Sequence, residues 1–482
     1  MELLLHGGAI IRIFAHHFPF TIPPRSFCMS LMVSISGIRG IVGGSLTPET
    51  VVKYAAGFAE YCRRGTIVVG RDGRVTGGPI QDIVIATLRS MGCSVVSLGI
   101  CPTPSVGLAI EQLHAAGGIA ITASHNPMIW NGLKFMGPTG MFLNGEENKE
   151  FWAIADRGNF PYRPWNEIGP LNEEPEFLNE HIRRILTLPG IDPSVIAKRK
   201  LRVVVEAVNA AGGRIAPALV RALGCEVIEM NCDVSGIFSH TPEPIPENLT
   251  DLCEKVKSEK ADLGIAVDPD VDRLVLITEE GKPFVEEYTI VSTTKYVLAA
   301  EKKAGRTGHT VVVNLSTTRA VDDVAKEFDA TVLRTPVGEI NVASRMKQAN
   351  AIIGGEGSGG VILPAVHLGR DAIVGIGLFL QLLAESGMTA SQLKASLPQY
   401  EIVKSKVDLG TLQPDAILKR LHAEYSKTER TNMDDGLKID FAASWVHLRK
   451  SNTEPIIRII AEAKTRDEAA ALVERFQKEI TG

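Results

Sequence analysis

The sequence predicts an α/β protein of four domains, three of related mixed α/β topology and a smaller C-terminal α+β domain. The first observation is a repeated run of β-branched residues: Thr66-Ile-Val-Val-Gly70, Arg202-Val-Val-Val-Glu206 and Thr310-Val-Val-Val-Asn314. These runs are too short for helices and rich enough in Val to be buried strands. The second is a common order of elements after each run. Helix-compatible stretches come next (79–91, 215–223, 320–328), then second strands (93–98, 225–230, 330–333), then closing apolar runs Gly118-Ile-Ala-Ile-Thr122, Leu263-Gly-Ile-Ala-Val267 and Ala351-Ile-Ile-Gly354. The third is a change of layout after about residue 391, where a helical stretch (412–425), strands (436–440, 445–449, 456–461) and an amphipathic helix (466–480) predict a small α+β domain.

The spacing from first to second strand drifts between repeats (Val68 to Val95, Val203 to Val227, Val311 to Val332), as in a diverged triplication and unlike a solenoid. Alternating strands and helices imply mainly parallel sheets, which place ligand sites at the carboxyl ends of strands. Each closing strand is therefore expected to deliver its loop to a site. The expected boundaries are 29–168, 169–281, 282–390 and 391–482, after an N-terminal extension over 1–28. That extension holds one acid, two Arg and three His without a sustained period, so it reads as disordered or non-native, with translation starting at Met29 or Met32. An organelle-targeting peptide is the alternative.

The 482 residues are 45% hydrophobic and 22% charged, an ordinary globular composition that excludes disorder, collagen and coiled coil. A net charge of -5 offers no general affinity for nucleic acid or acidic membranes, so cations for an anionic ligand must be gathered locally. No apolar run approaches the roughly 20 residues of a membrane helix. Seven Cys without a C-x-x-C pair read as reduced thiols, consistent with a cytoplasmic location.

Three loops carry the chemistry. In Asp268-Pro-Asp-Val-Asp-Arg273 the alternating carboxylates of Asp268, Asp270 and Asp272 can converge, and three oxygen donors suit Mg²⁺. An EF-hand is excluded because Arg273 stands where that loop needs Gly. A phosphatase with Asp268 as nucleophile is the competing reading; the third carboxylate favours chelation. In Ala123-Ser-His-Asn-Pro127, Ser124 lacks the Gly-x-Ser-x-Gly elbow of hydrolases, and a Ser beside a His is on its own weak evidence for catalysis. Gly355-Glu-Gly-Ser-Gly-Gly360 matches a dinucleotide fingerprint, but Val-Ile-Leu-Pro364 cannot open the helix that motif requires. Glu356 and Ser358 then read as contacts for sugar hydroxyls. A fourth loop, Arg449-Lys-Ser-Asn-Thr-Glu-Pro455, offers donors suited to a phosphate.

Together these four loops, with Ser36-Gly-Ile-Arg-Gly40 near the start, resemble the α-D-phosphohexomutase superfamily of phosphoglucomutases, phosphomannomutases and phosphoglucosamine mutases, over about Met32 to the C-terminus. The resemblance implies four domains around a central cleft and an isomerase that interconverts hexose 1-phosphate and hexose 6-phosphate through a 1,6-bisphosphate. It implies Ser124 as the phosphoserine, and Asp268, Asp270 and Asp272 as holders of Mg²⁺ together with an oxygen on Ser124. Arg39, Arg449, Ser451, Asn452 and Thr453 become phosphate contacts, and Glu356 and Ser358 grip the sugar. His125, Lys134 and Arg273 line the reacting end, with His125 or Lys134 as the proton carrier.

The expected ligands are small hexose phosphates, with hexose 1,6-bisphosphate as activator, no nucleic acid or membrane partner, and a monomer or homodimer. The Gly-Gly-Val-Ile continuation and His367-Leu-Gly-Arg-Asp371 look like archaeal-type phosphoglucosamine and phosphomannomutases. Asn452 stands where many bacterial phosphoglucosamine mutases have Gly. Glucosamine phosphate is the preferred substrate, with mannose and glucose phosphates as the alternative.

Overall fold

The computed structural model describes residues 30–410, 412–450 and 456–481; the extension over 1–28 and Ser451, Asn452 and Thr453 lie outside the described residues. The first unit contains β1 (Met32–Ser34), β2 (Gly37–Ile41), α1 (Pro48–Tyr61), β3 (Ile67–Arg71), α2 (Gly77–Ser90), β4 (Val95–Ile100), α3 (Thr103–Leu113), β5 (Gly117–Ile121), β6 (Trp130–Met136), α4 (Gly145–Asp156) and β7 (Leu171–Glu173). The second contains α5 (Phe177–Leu186), α6 (Pro193–Lys198), β8 (Arg202–Glu206), α7 (Gly212–Ala222), β9 (Glu226–Met230), α8 (Thr250–Ser258), β10 (Leu263–Val267) and β11 (Leu274–Thr278). The third contains α9 (Glu287–Lys303), β12 (Thr310–Asn314), α10 (Ala320–Glu327), β13 (Thr331–Thr335), α11 (Glu339–Ala349), β14 (Ile353–Glu356), β15 (Gly360–Ile362), α12 (Ala372–Ser386) and α13 (Ala390–Ala395). The fourth contains β16 (Glu401–Asp408), α14 (Pro414–Tyr425), β17 (Arg430–Asn432), β18 (Leu437–Asp440), β19 (Trp445–Lys450), β20 (Ile456–Ala463) and α15 (Arg466–Thr481).

The three α/β units share one strand order. β6-β5-β3-β4, β11-β10-β8-β9 and β15-β14-β12-β13 are the same arrangement, extended in the first unit by β2 and β1 at one edge and β7 at the other. Within each, the first, second and closing strands are parallel, as the Val-rich runs predict. Each sheet also carries an antiparallel strand that returns immediately after the closing strand. The polar loops are therefore turns at the carboxyl ends of β5, β10 and β14. The third is a tight hairpin in which Glu356 pairs with Gly360. β16 and β17 complete an antiparallel sheet, β16-β20-β19-β18-β17, in the fourth unit.

One apolar cluster runs through the first three units, joining Val68, Val203 and Val311 from the three opening strands. α12 is its centre. It is apolar around most of its surface, with Ile373, Val374, Ile376, Phe379, Leu380 and Leu383 all buried, and packs against α9 as well as α5, α6 and α7. A helix apolar on nearly every side is stable only inside a core. Its start is fixed by Asp371, whose Oδ1 accepts from Ile373 N at 2.8 Å, and its end by Gly387 at φ 68°. A separate cluster fills the fourth unit, with Leu421, Leu448, Ile459 and Phe476 at its centre. Among the described residues no helix is long and apolar enough to cross a membrane, and six free cysteines are present.

Candidate active site

Ser124 sits in the turn between β5 and β6 with φ 51°, a left-handed conformation that a serine adopts only when its surroundings hold it. Arg74 does the holding. Its fully buried guanidinium uses all five N–H donors: Nε on Asp72 Oδ2 (3.0 Å), Nη1 on the carbonyls of Pro127 (2.8 Å) and Trp130 (3.1 Å), and Nη2 on those of Ser124 (2.5 Å) and Asn126 (2.7 Å). Thr122 Oγ1 completes the clasp, accepting from Ser124 N at 2.8 Å and donating to Asp72 at 2.7 Å.

Ser124 Oγ donates to Asp268 Oδ2 at 3.0 Å, so the first and second turns meet. Asp268, Asp270 and Asp272 are buried, and they offer carboxylate oxygens that all lie within 4.8 Å of one another. The alternation works because Val271, buried and at φ 63°, turns the chain between two inward carboxylates. Asp268 Oδ1 is occupied by the amides of Asp272 and Arg273, both at 3.1 Å. Asp270 Oδ2 accepts from Thr103 Oγ1 (2.6 Å) and from Lys134 Nζ (2.7 Å), which also reaches Asp272 Oδ2 at 3.3 Å. The other oxygens, Asp270 Oδ1 and Asp272 Oδ1, are buried without a hydrogen-bond partner. Two orphaned carboxylate oxygens inside a three-carboxylate cluster fit a hard divalent cation such as Mg²⁺.

The charges in this cluster are interdependent. Burial, then Asp272 and Asp270, push the Asp268 carboxyl well above its usual range. Burial also acts to raise Asp272, but Arg370, Lys134 and Arg273 outweigh it and hold that group low. Lys134 is the converse case: burial favours the neutral amine, yet Asp270 and Asp272 prevail and its affinity for the proton is raised.

The third turn supplies Glu356, whose Oε1 accepts from Asn314 Nδ2 (2.8 Å) and Gly338 N (3.0 Å). Its Oε2 accepts from Arg370 Nη1 at 2.7 Å. Arg370 is the hub between turns, for its Nη2 donates to Asp272 Oδ2 at 2.7 Å and its Nε to Glu339 Oε2 at 3.1 Å. Ser358 is half-buried at the turn's tip.

These turns line a cleft of about 430 Å³ into which all four units reach. Ser124, His125, Lys134, Arg273, Arg39, Glu356, Ser358 and Arg449 all face it, with the three aspartates behind Ser124 and Lys134. His125 Nδ1 lies 3.3 Å from Ser124 Oγ; burial, then Arg273 and Arg39, lower its pKa to about 3, so the ring is neutral near pH 7. Arg449 Nε stands 2.9 Å from Asp435 Oδ2, close enough to pair but off the hydrogen-bond axis. Several residues of the site are not evident from the sequence, four cations among them. Arg370 and Arg74 (the latter beneath the serine turn) follow recognisable strands, but their roles depend on partners 50 or more positions away, at Ser124 and Asp272. Lys404 and Arg458 come from β16, a strand the sequence pattern does not reveal, and from β20.

The sequence profiles of known families match nearly the whole described chain in order. Phosphoglucomutase/phosphomannomutase alpha/beta/alpha domain I matches residues 32–161, domain II 179–281, domain III 287–400, and the C-terminal domain 403–479. The chain belongs to the phosphoglucomutase/phosphomannomutase family. Among relatives in this family, a probable phosphoglucosamine mutase of Methanopyrus kandleri is 36% identical over 92% of this chain and 96% of its own. A phosphoglucomutase/phosphomannomutase of Thermococcus kodakarensis is 37% identical over 92% and 97%. Among solved structures, a phosphoglucomutase/phosphomannomutase family protein from Burkholderia thailandensis superimposes with a TM-score of 0.79 at 25% identity, covering 93% of this chain and 98% of the other. The family's α/β domain type agrees with the three repeated sheets, and its C-terminal domain coincides with the antiparallel fourth unit.

Proposed function

We propose that this chain is a Mg²⁺-dependent phosphohexomutase in which Ser124 carries the transferred phosphoryl group. The observation that carries the reading is the 3.0 Å contact from Ser124 Oγ to Asp268 Oδ2, at the floor of a cleft ringed by Arg39, Lys134, Arg273, Arg449, Lys404 and Arg458. Phosphoryl transfer needs positioning and charge neutralisation more than covalent chemistry, and this cleft concentrates cations in a chain of net charge -5.

Asp268, Asp270 and Asp272 would hold the metal, which when bound neutralises charge on the transferring phosphoryl group. In the first half-reaction the bond between Ser124 Oγ and phosphorus breaks while one forms to a sugar hydroxyl oxygen; the hydroxyl's proton leaves to a protein base, and the departing Ser124 Oγ takes up a proton. In the second, the 1,6-bisphosphate has turned around: the bond from its other phosphorus to the sugar oxygen breaks while one forms to Ser124 Oγ, the serine's proton leaves to the base, and the freed sugar oxygen takes up a proton to become the product hydroxyl. His125 is assigned as proton carrier because its neutral ring lies 3.3 Å from Oγ, whereas Lys134 is held as an ammonium by two carboxylates. Glu356 and Ser358 hold sugar hydroxyls, and Arg449 with Lys404 and Arg458 receives the non-reacting phosphate. The family resemblance assigns Ser451, Asn452 and Thr453 to the same phosphate.

Glucosamine phosphate is the favoured substrate, in keeping with the Methanopyrus relative's name; the Thermococcus relative supports a second reading with glucose and mannose phosphates. Mass spectrometry of the purified chain tests the mechanism through a phosphate adduct on Ser124. Kinetics with glucosamine, mannose and glucose phosphates, with bisphosphate present, test specificity. Stoichiometric release of free phosphate without any 6-phosphate product would instead point to a phosphatase acting through Asp268.

A further inference from the structure

A second polar cavity, of about 640 Å³, opens between the third and fourth units and shares no lining residue with the cleft. Its walls carry six cationic side chains: Arg319, Lys326, Arg334 and Arg345 from the third unit, Arg430 and Lys438 from the fourth. Three carboxylates stand among them, and each is already engaged. Asp322 pairs with Arg334 at 2.5 Å, Asp440 with Lys438 at 3.2 Å, and Asp323 accepts from Tyr400 Oη at 2.7 Å with Lys326 at 3.9 Å. Among the described residues, Arg319, Arg345 and Arg430 have no carboxylate partner. Arg319 reaches only the carbonyls of Phe441 and Ala442, at 3.2 and 3.3 Å, which satisfy its donors without balancing its charge.

Lys438 lies inside the same wall. It is 2% exposed, with its ammonium 4.6 Å from the Trp445 ring centroid, and burial followed by Arg334 lowers its pKa to about 7. Three guanidinium groups without a carboxylate partner on the walls of one cavity make a local field that a multiply charged anion would relieve. Planar guanidinium forks match phosphate oxygens in geometry, and a phosphate group brings about -1.5 to -2 charge near neutral pH.

We infer that this cavity binds a small phosphorylated anion, held by Arg345 and Arg319 of the third unit and Arg430 of the fourth. Because its walls belong to two units, the ligand keeps its contacts only while those units stay together. Its differential affinity would therefore favour the arrangement in which the fourth unit is apposed to the third. The binding claim is independent of the proposed reaction.

Isothermal titration of the full chain in EDTA, with inorganic pyrophosphate and in a parallel arm glucose 6-phosphate, tests it. The proteins are wild type, Arg345→Glu/Arg430→Glu and the cleft variant Arg449→Ala. Arg345 and Arg430 are exposed, so charge reversal there spares the core, and Arg430→Ala alone serves if the double variant misfolds. The expected result is a binding event, with one or both ligands, that weakens by about tenfold or more in the double variant and survives in Arg449→Ala. A response to pyrophosphate alone that is lost on charge reversal would identify an inorganic oxyanion as sufficient, and a response to glucose 6-phosphate that is lost on charge reversal an organic one. Indistinguishable titrations of wild type and charge-reversed protein with both ligands would overturn the proposal.

Discussion

Gly360 and Arg370 are complementary: a Cβ on Gly360 would stand 2.3 Å from Arg370 Cδ, so the missing side chain is the space through which the arginine reaches the cleft. Gly360→Ala is therefore expected to displace Arg370 and loosen both Asp272 and Glu356. Arg370→Met removes the cation from three buried or half-buried carboxylates and should cost roughly 3–5 kcal/mol, the range for stranding buried charge. Urea unfolding checks the stability loss. A KM for hexose phosphate raised more than kcat is lowered, with partial recovery in Arg370→Lys, checks its part in positioning.

Arg74→Lys keeps a positive charge beside Asp72 but cannot satisfy four carbonyls at once. The serine turn should lose its fixed conformation, and turnover should fall by about 100-fold, the scale of a misplaced reacting group. Thermal unfolding read alongside the rate of Ser124 phosphorylation separates the two effects. Loss of stability with an unchanged phosphorylation rate would show that Arg74 supports the fold and not the turn.

Glu287, buried at the start of α9 against Gly357, has its pKa raised to about 8, chiefly by burial, with Glu286 adding to the rise and Lys404 opposing it. Its folded-state value lies above the unfolded one, so its contribution is fully present at acid pH and is lost as pH rises from about 4.5 to about 8. Over that window wild type should lose up to about 1.4 kcal/mol per pH unit from this group. Glu287→Gln should flatten the decline, which denaturant unfolding from pH 5 to 9 measures.

Mg²⁺ should raise the thermal midpoint of the wild-type chain, since a ligand of the native state stabilises it by mass action. Asp270→Asn should abolish that rise. Calorimetry in EDTA and in Mg²⁺ makes the comparison without using activity, and an undiminished shift in the variant would remove Asp270 from the ligand set.

Much of the site is local in sequence and is legible for that reason. Asp268, Asp270 and Asp272 lie within one turn, and alternation alone brings them together; Ser124 follows β5 and Glu356 ends β14, closing strands whose apolar runs are plain. Arg370 and Arg74 are not legible because nothing in Gly369-Arg370-Asp371 or Asp72-Gly73-Arg74 says which distant carboxylates or carbonyls will receive their donors. β16 hides for a related reason. Its residues Glu401, Lys404 and Lys406 interrupt the apolar pattern, and it becomes a strand by pairing with β20 along its whole length. The tight third hairpin is likewise a tertiary outcome, since six residues that are mostly glycine permit many shapes until Glu356 is tied to Asn314, Gly338 and Arg370.

The shared strand order of the first three units has a consequence for how such a centre arises. The three turns occupy equivalent positions at the carboxyl ends of β5, β10 and β14 and face one cleft, so each can carry a different task. In the proposed reaction one is the acceptor, one the cation holder and one the sugar grip. The price of that division of labour is interdependence: no single copy retains a complete reaction, and a chain lacking any one of them should bind fragments of the chemistry yet perform none of it.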